Sequence, residues 1–96
     1  MADVLNTEQI TTALTGLPGW QEEGGELVRV AELADFPTAI TVVDRVAELA
    51  EQADHHPDID IRWRTLTFHL STHSAGGITS KDIALAGEIN TVISKA

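Results

Sequence analysis

The sequence predicts a single α+β domain in which helices cover one face of an antiparallel sheet. Two patterns and a length carry that prediction. Three stretches show helical apolar spacing behind good N-caps, and the two regions between them switch to strand-like patterns. The chain has 96 residues, and a chain of that size buries only roughly 60 to 65% of its unfolded surface, too little to divide into two cores. One domain over residues 1–96 is therefore expected. The order is helix, hairpin, helix, strand or strand pair, helix, and one sheet with helices on one side satisfies it most economically.

The first helix starts at Asn6, an N-cap with Gln9 at the capping-box position and Leu5 and Ile10 as a hydrophobic staple. Gly16 and Pro18-Gly19 stop it. Trp20 opens an extended piece, Gly24-Gly25 offers a tight turn, and the branched run Leu27 to Leu33 returns as the second strand of a hairpin. Asp35 caps the second helix, with Pro37 tolerated in the first turn. Ile40, Val43, Ala47 and Ala50 form one apolar row and Val42, Val46 and Leu49 its neighbour, a stripe suited to a core. Pro57 disfavours helix at His56, so the helix is expected to end near Asp54 to His56.

From Ile59 to His73 the period becomes two. Leu66, Phe68 and Leu70 share one face, and Trp63, Thr65, Thr67, His69, Ser71 and His73 the other. The segment is long for one strand, so a bend or turn is expected between Asp60 and Leu66, although neither Gly nor Pro marks it. After Gly76-Gly77, Thr79 caps the third helix with Asp82 at the capping-box position, and Leu85, Ile89 and Val92 form its buried stripe.

The formal charge of −9 repels phosphate backbones, which argues against nucleic acid as a partner. No apolar run approaches the ~18 residues of a membrane span, and Asp3 and Glu8 interrupt any secretory h-region. The absence of cysteine excludes disulfides and thiolate chemistry. A soluble protein at a cytoplasmic address is expected.

Chemistry concentrates in Glu51-x3-His55-His56-Pro57-x5-Trp63-x9-His73-x8-Asp82, which holds three of the four histidines. Imidazole has the ordinary pKa closest to neutral, so clustered histidines point to proton transfer. Read alone, His55 and His56 also suit a helix C-cap, and Asp82 is explained by its place in a capping box. Glu51 lies one turn before His55 and is expected to orient that ring. His69 lacks a motif partner and is expected to face solvent or a neighbouring subunit, and Trp20 reads as core. A metal site is disfavoured, because adjacent histidine side chains diverge and no HExxH pair is present.

These residues resemble the signature of the pterin-4a-carbinolamine dehydratase family, also called 4a-hydroxytetrahydrobiopterin dehydratases. Glu51, His55, His56, Pro57, Trp63, His73 and Asp82 match it position by position, and Ser71-Thr72-His73 with Ser74 to Thr79 resembles the family's strand-to-helix segment. Asp35-Phe36 and Gly19-Trp20 extend the likeness over nearly the whole chain. The resemblance implies a four-stranded antiparallel sheet with three helices on one face, in the order α-β-β-α-β-β-α. It also implies a homodimer or dimer of dimers, and no cofactor or metal. The implied reaction eliminates water from a 4a-hydroxytetrahydropterin, with a functional link to an aromatic amino acid hydroxylase. By this likeness His55 and His73 are the acid–base pair, His56 and Trp63 contact substrate, and Glu51, Pro57 and Asp82 support them. Relatives often carry tyrosine at the position of Trp63, and an aromatic and an asparagine within the segment that here reads Asp58 to Arg62. A non-catalytic dimerisation or assembly module on the same fold is the alternative.

Overall fold

Local caps set the three helices, as the computed structural model shows over residues 3–96, the part of the chain it describes. α1 (Thr7–Leu14) starts with the reciprocal Asn6–Gln9 capping box, its two bonds 2.9 and 2.8 Å long. α2 (Phe36–Ala53) starts where the Thr38 N–H donates to Asp35 Oδ1 at 2.8 Å, with Pro37 in the first turn. α3 (Ser80–Ser94) follows Thr79. Each cap occupies N–H groups that lack partners within their helix. At Asp35, hydrogen bonds from the Thr38 side chain and then its backbone hold the carboxyl below its ordinary value.

β1 (Trp20–Glu23) and β2 (Glu26–Glu32) pair across the Gly24-Gly25 turn, where both residues have positive φ, a conformation that glycine adopts without a Cβ clash. β3 (Asp58–Arg62) and β4 (Thr65–Leu70) form a second hairpin, and β2 joins β4 to give the order β1-β2-β4-β3. All three pairings are antiparallel. The element order is α-β-β-α-β-β-α.

Register decides which face the helices cover. Leu27 pairs with Leu70, Ala31 with Leu66 and Ile59 with Phe68, so these apolar side chains share one face. They merge with Ile10, Trp20, Val42, Val46, Leu85 and Ile89 in one core. Full burial of a Leu, Ile, Val or Phe side chain contributes about 1.5 to 3 kcal/mol, which makes this face the main source of stability. Trp20 belongs to it, and its indole N–H donates to Asn90 Oδ1 at 2.8 Å. Among the described residues no helix is long and apolar enough to cross a membrane.

The period-two run from Ile59 to His73 divides at Trp63-Arg64. Trp63 turns the chain at φ 54 without glycine. The Arg64 carbonyl accepts the Leu33 N–H at 2.9 Å while its guanidinium donates to the Leu33 carbonyl at 3.3 Å, tying this turn to the end of β2. Thr65, Thr67 and His69 do share the face away from the helices, as their alternation predicts. Trp63, Ser71 and His73 do not, because Trp63 lies in the turn and the other two lie beyond the end of β4. His69 is half-buried, with Nδ1 3.2 Å from Glu26 Oε1.

Candidate active site

α2 ends on a residue in the left-handed region. Asp54 has φ 49 and ψ 45, a conformation that costs a non-glycine residue about 1 to 3 kcal/mol, although aspartate is among the side chains that tolerate it best. The His55 N–H still reaches back to the Ala50 carbonyl at 3.0 Å. This turn sends the next two side chains different ways. His55 is buried, at 9% exposure, and packs toward the start of α3, whereas the side chain of His56 remains 55% exposed. Pro57 then leads the chain into β3.

Asp82, in the first turn of α3, is wholly buried and divides its two oxygens. Oδ2 accepts the Thr79 N–H at 2.9 Å, closing the cap, and the Thr72 hydroxyl at 2.8 Å. Oδ1 lies 2.5 Å from His55 Nε2. The sequence accounts for Asp82 by capping alone; the fold adds the histidine. Burying a carboxylate is costly unless hydrogen bonds replace its water, and here three donors do so, at the positive end of a helix dipole. Thr72 and Thr79 complete this cluster, their hydroxyl oxygens 2.8 Å apart and both side chains buried. Sequence reasoning treats Thr79 as a cap and Thr72 only as part of a matched segment.

Glu51 requires a correction. It contacts His56 Nε2 through Oε2, and no bond joins it to His55. The i,i+4 relation holds only while the helix continues, and the left-handed turn at Asp54 breaks it one residue before His55.

His73 stands exposed in the turn after β4. That turn is held by the Thr72 N–H donating to the Gly77 carbonyl at 2.9 Å and by the Gly76 N–H donating to the Thr72 carbonyl at 2.9 Å. Asp58 pairs with His69 at the start of β3, and the His55 ring and the Thr72 hydroxyl meet on the Asp82 carboxylate. The end of α2, the turn bearing His73 and the start of α3 therefore meet at one corner. Trp63 does not join them. It sits at the opposite end of β3, a strand whose five residues span about 17 Å at ~3.3 Å per residue, and it is 71% exposed with the Arg64 guanidinium 4.9 Å from its ring centre. Within one chain Trp63 lies apart from His55, His56 and His73, because the β3–β4 turn falls at Trp63 itself.

The Asp82 contact selects a tautomer for His55. A carboxylate oxygen accepts, so Nε2 carries the proton and Nδ1 is left to exchange one. Nδ1 has no hydrogen-bond partner among the described residues, and the sealed, unpartnered side-chain nitrogens there are Arg29 Nε and Arg64 Nε, so it is not enclosed. The corner thus offers one oriented ring nitrogen on His55, a second imidazole on His73, and a polar His56–Glu51 pair beside them. Among the described residues no three His, Asp or Glu side chains are grouped to hold a metal ion. A groove of about 430 Å³ between α2 and α3, lined by Arg45, Leu49 and Val92, lies away from this corner.

Comparisons with known proteins bear on the family and the fold. The profile of the family described as pterin 4 alpha carbinolamine dehydratase matches residues 3–92. A protein of Nocardia farcinica assigned by name to the pterin-4-alpha-carbinolamine dehydratases is 60% identical over 88 residues, covering 92% of this chain and 93% of that protein. One from Mycolicibacterium smegmatis, assigned likewise, is 55% identical, covering 95% and 97%. The crystal structure of a transcriptional coactivator/pterin dehydratase from Brucella melitensis superposes with a TM-score of 0.92 at 31% identity, covering 95% of this chain and 99% of that one. A pterin dehydratase-like RuBisCO assembly factor of the alpha-carboxysome shares the fold, with a TM-score of 0.64 at 17% identity over 77% of this chain and 86% of that one. A profile match over almost the whole chain, with relatives above half identity, places this protein in the pterin-4a-carbinolamine dehydratase family.

Proposed function

We propose that this protein is a hydro-lyase that removes water from a 4a-hydroxytetrahydropterin to give the quinonoid dihydropterin. One observation carries the mechanism: the buried Asp82 carboxylate, 2.5 Å from His55 Nε2, which turns Nδ1 of that ring toward proton exchange. The reaction breaks the C4a–O bond. The N5 lone pair drives hydroxide out, a proton delivered to the leaving oxygen makes it water, and loss of a ring N–H proton completes the product. His55 and His73 divide the giving and taking of these two protons, a role for which imidazoles are suited near neutral pH. His56, braced by Glu51, binds the polar edge of the substrate. Trp63 contacts substrate only if a second copy brings it to the corner, so its role depends on assembly as a homodimer or a dimer of dimers.

An aromatic amino acid hydroxylase in the same cytoplasm would supply the carbinolamine, linking the enzyme to pterin recycling. The test is stopped-flow dehydration of carbinolamine generated enzymatically, repeated after chelator treatment. Wild type accelerates the decay with or without chelator, and His55→Ala or His73→Ala removes most of the acceleration. Equal traces for wild type and both variants would favour the second reading, a binding module, which draws support from the coactivator named with the Brucella relative.

A further inference from the structure

We infer that Thr72 is a positioning residue for the reaction, acting through Asp82 to hold His55 in its productive tautomer. The inference rests on the proposed dehydration and adds a residue to it. It follows from the direction in which protons must point along a buried line of hydrogen bonds.

The two ends of the line leave no choice of direction. At one end, the Lys81 backbone N–H can only donate, and it does so to Thr79 Oγ1 at 3.2 Å. At the other, an Asp82 carboxylate can only accept, and Oδ2 takes the Thr72 hydroxyl at 2.8 Å. A hydroxyl has a single proton, so Thr72, having given its own to Asp82, must accept from Thr79 across the 2.8 Å between their oxygens. The order is Lys81 N–H to Thr79, Thr79 to Thr72, Thr72 to Asp82. Aligned bonds of this kind polarise one another, most strongly where water is excluded.

The line has a consequence at His55. With the Thr72 hydroxyl and the Thr79 N–H both on Oδ2, the carboxylate cannot rotate without losing two buried bonds, and Oδ1 stays on Nε2. The Thr72 backbone also begins the turn that carries His73, through its bond to Gly77. One residue therefore links the supports of both imidazoles, with its side chain serving His55 and its main chain serving His73. Its hydroxyl is buried and bonded to Thr79 and Asp82, not to the reacting nitrogen, so its effect is indirect.

The test compares Thr72→Val, which keeps the shape and removes the hydroxyl, with Thr72→Ser, which keeps the hydroxyl. Expected for Thr72→Val is a fall in kcat of about tenfold to a hundredfold, the size of a lost hydrogen bond to a charged group, with KM changed less than about twofold. Thr72→Ser should stay within about threefold of wild type. ¹⁵N NMR of the histidine rings supplies a readout that a merely structural role would not move. Wild-type His55 should give the Nε2–H pattern, and Thr72→Val should give a mixture of tautomers. Unchanged kcat and an unchanged ring pattern in Thr72→Val would overturn the inference. If Thr72→Val does not fold, wild-type rings decide: an Nδ1–H tautomer at His55 would overturn the inference without any variant. A wild type with no dehydration rate would sink the proposed function instead, and the ring spectra would still judge the role of Thr72.

Discussion

The β3–β4 hairpin has two ends, and each is approached through a non-glycine residue with positive φ, Asp54 at 49° and Trp63 at 54°. At the Asp54 end, the side chains that follow are bound into neighbouring elements, with His55 on α3 through Asp82 and Thr72 on the same carboxylate. At the Trp63 end, a large aromatic projects with only the Arg64 guanidinium over its ring. Backbone strain is thus offset at one end by a buried side-chain network and at the other by the Arg64–Leu33 bonds, which leave the Trp63 ring itself exposed. The lesson is that a strained residue alone does not mark a candidate site; a buried, hydrogen-bonded polar network beside it is the stronger signal.

That contrast can be broken most directly by removing the imidazoles. His55→Ala or His73→Ala should lower the carbinolamine dehydration rate by about 10² to 10⁴-fold, the usual contribution of a positioned acid or base, with circular dichroism unchanged. Trp63→Ala, at the far end, should leave the rate of an isolated protomer unchanged. A loss for Trp63→Ala that varies with protein concentration would show that a second copy completes the site.

Stability separates the ends next. Asp82→Ala removes one partner of a buried pair and should cost about 3 to 5 kcal/mol in urea unfolding, whereas Trp63→Ala should cost no more than about 1 kcal/mol, the size of an exposed cation–π contact. Equal losses would mean that the Trp63 turn is held far more tightly than its exposure indicates. A smaller effect concerns the strain itself. Asp54→Gly should match wild type within about 1 kcal/mol, while Asp54→Val, β-branched in the left-handed region, should lose about 1 to 3 kcal/mol.

The smallest effect lies at the other terminus of α2. The Asp35 carboxyl is held below its ordinary value of 3.8 by the Thr38 bonds. Its folded pKa is depressed, so its contribution to stability is present above that ordinary value and is lost as pH falls through the lower, folded one. The Tm difference between wild type and Asp35→Ala should be constant near neutral pH and narrow once pH drops below about 4. A difference that grew on acidification would reverse this sign.

Much of this architecture was legible because it is written locally. Asn6 with Gln9, Asp35 with Pro37, and Thr79 with Asp82 each announce a helix within four residues, and Gly24-Gly25 announces a hairpin. The second hairpin was only half legible, since Trp63 turns the chain without Gly or Pro and is held there by Leu33, which is distant in sequence. At the site, spacing singled out the histidines, but their partners depend on how α2 meets α3. Glu51 was assigned to the wrong ring because a left-handed Asp54 leaves no glycine to read. Asp82 had one sufficient local explanation, and that concealed the oxygen it keeps for His55.

That shared carboxylate restricts how the chain can change. The start of α3 is a natural place to tune thermal robustness by exchanging capping residues, yet any exchange at residue 82 also alters the His55 ring proposed to exchange protons. Variants selected there for heat tolerance alone would be expected to drift in turnover, so hardening this scaffold is better attempted at Asn6 or Asp35, whose caps lie on other helix starts.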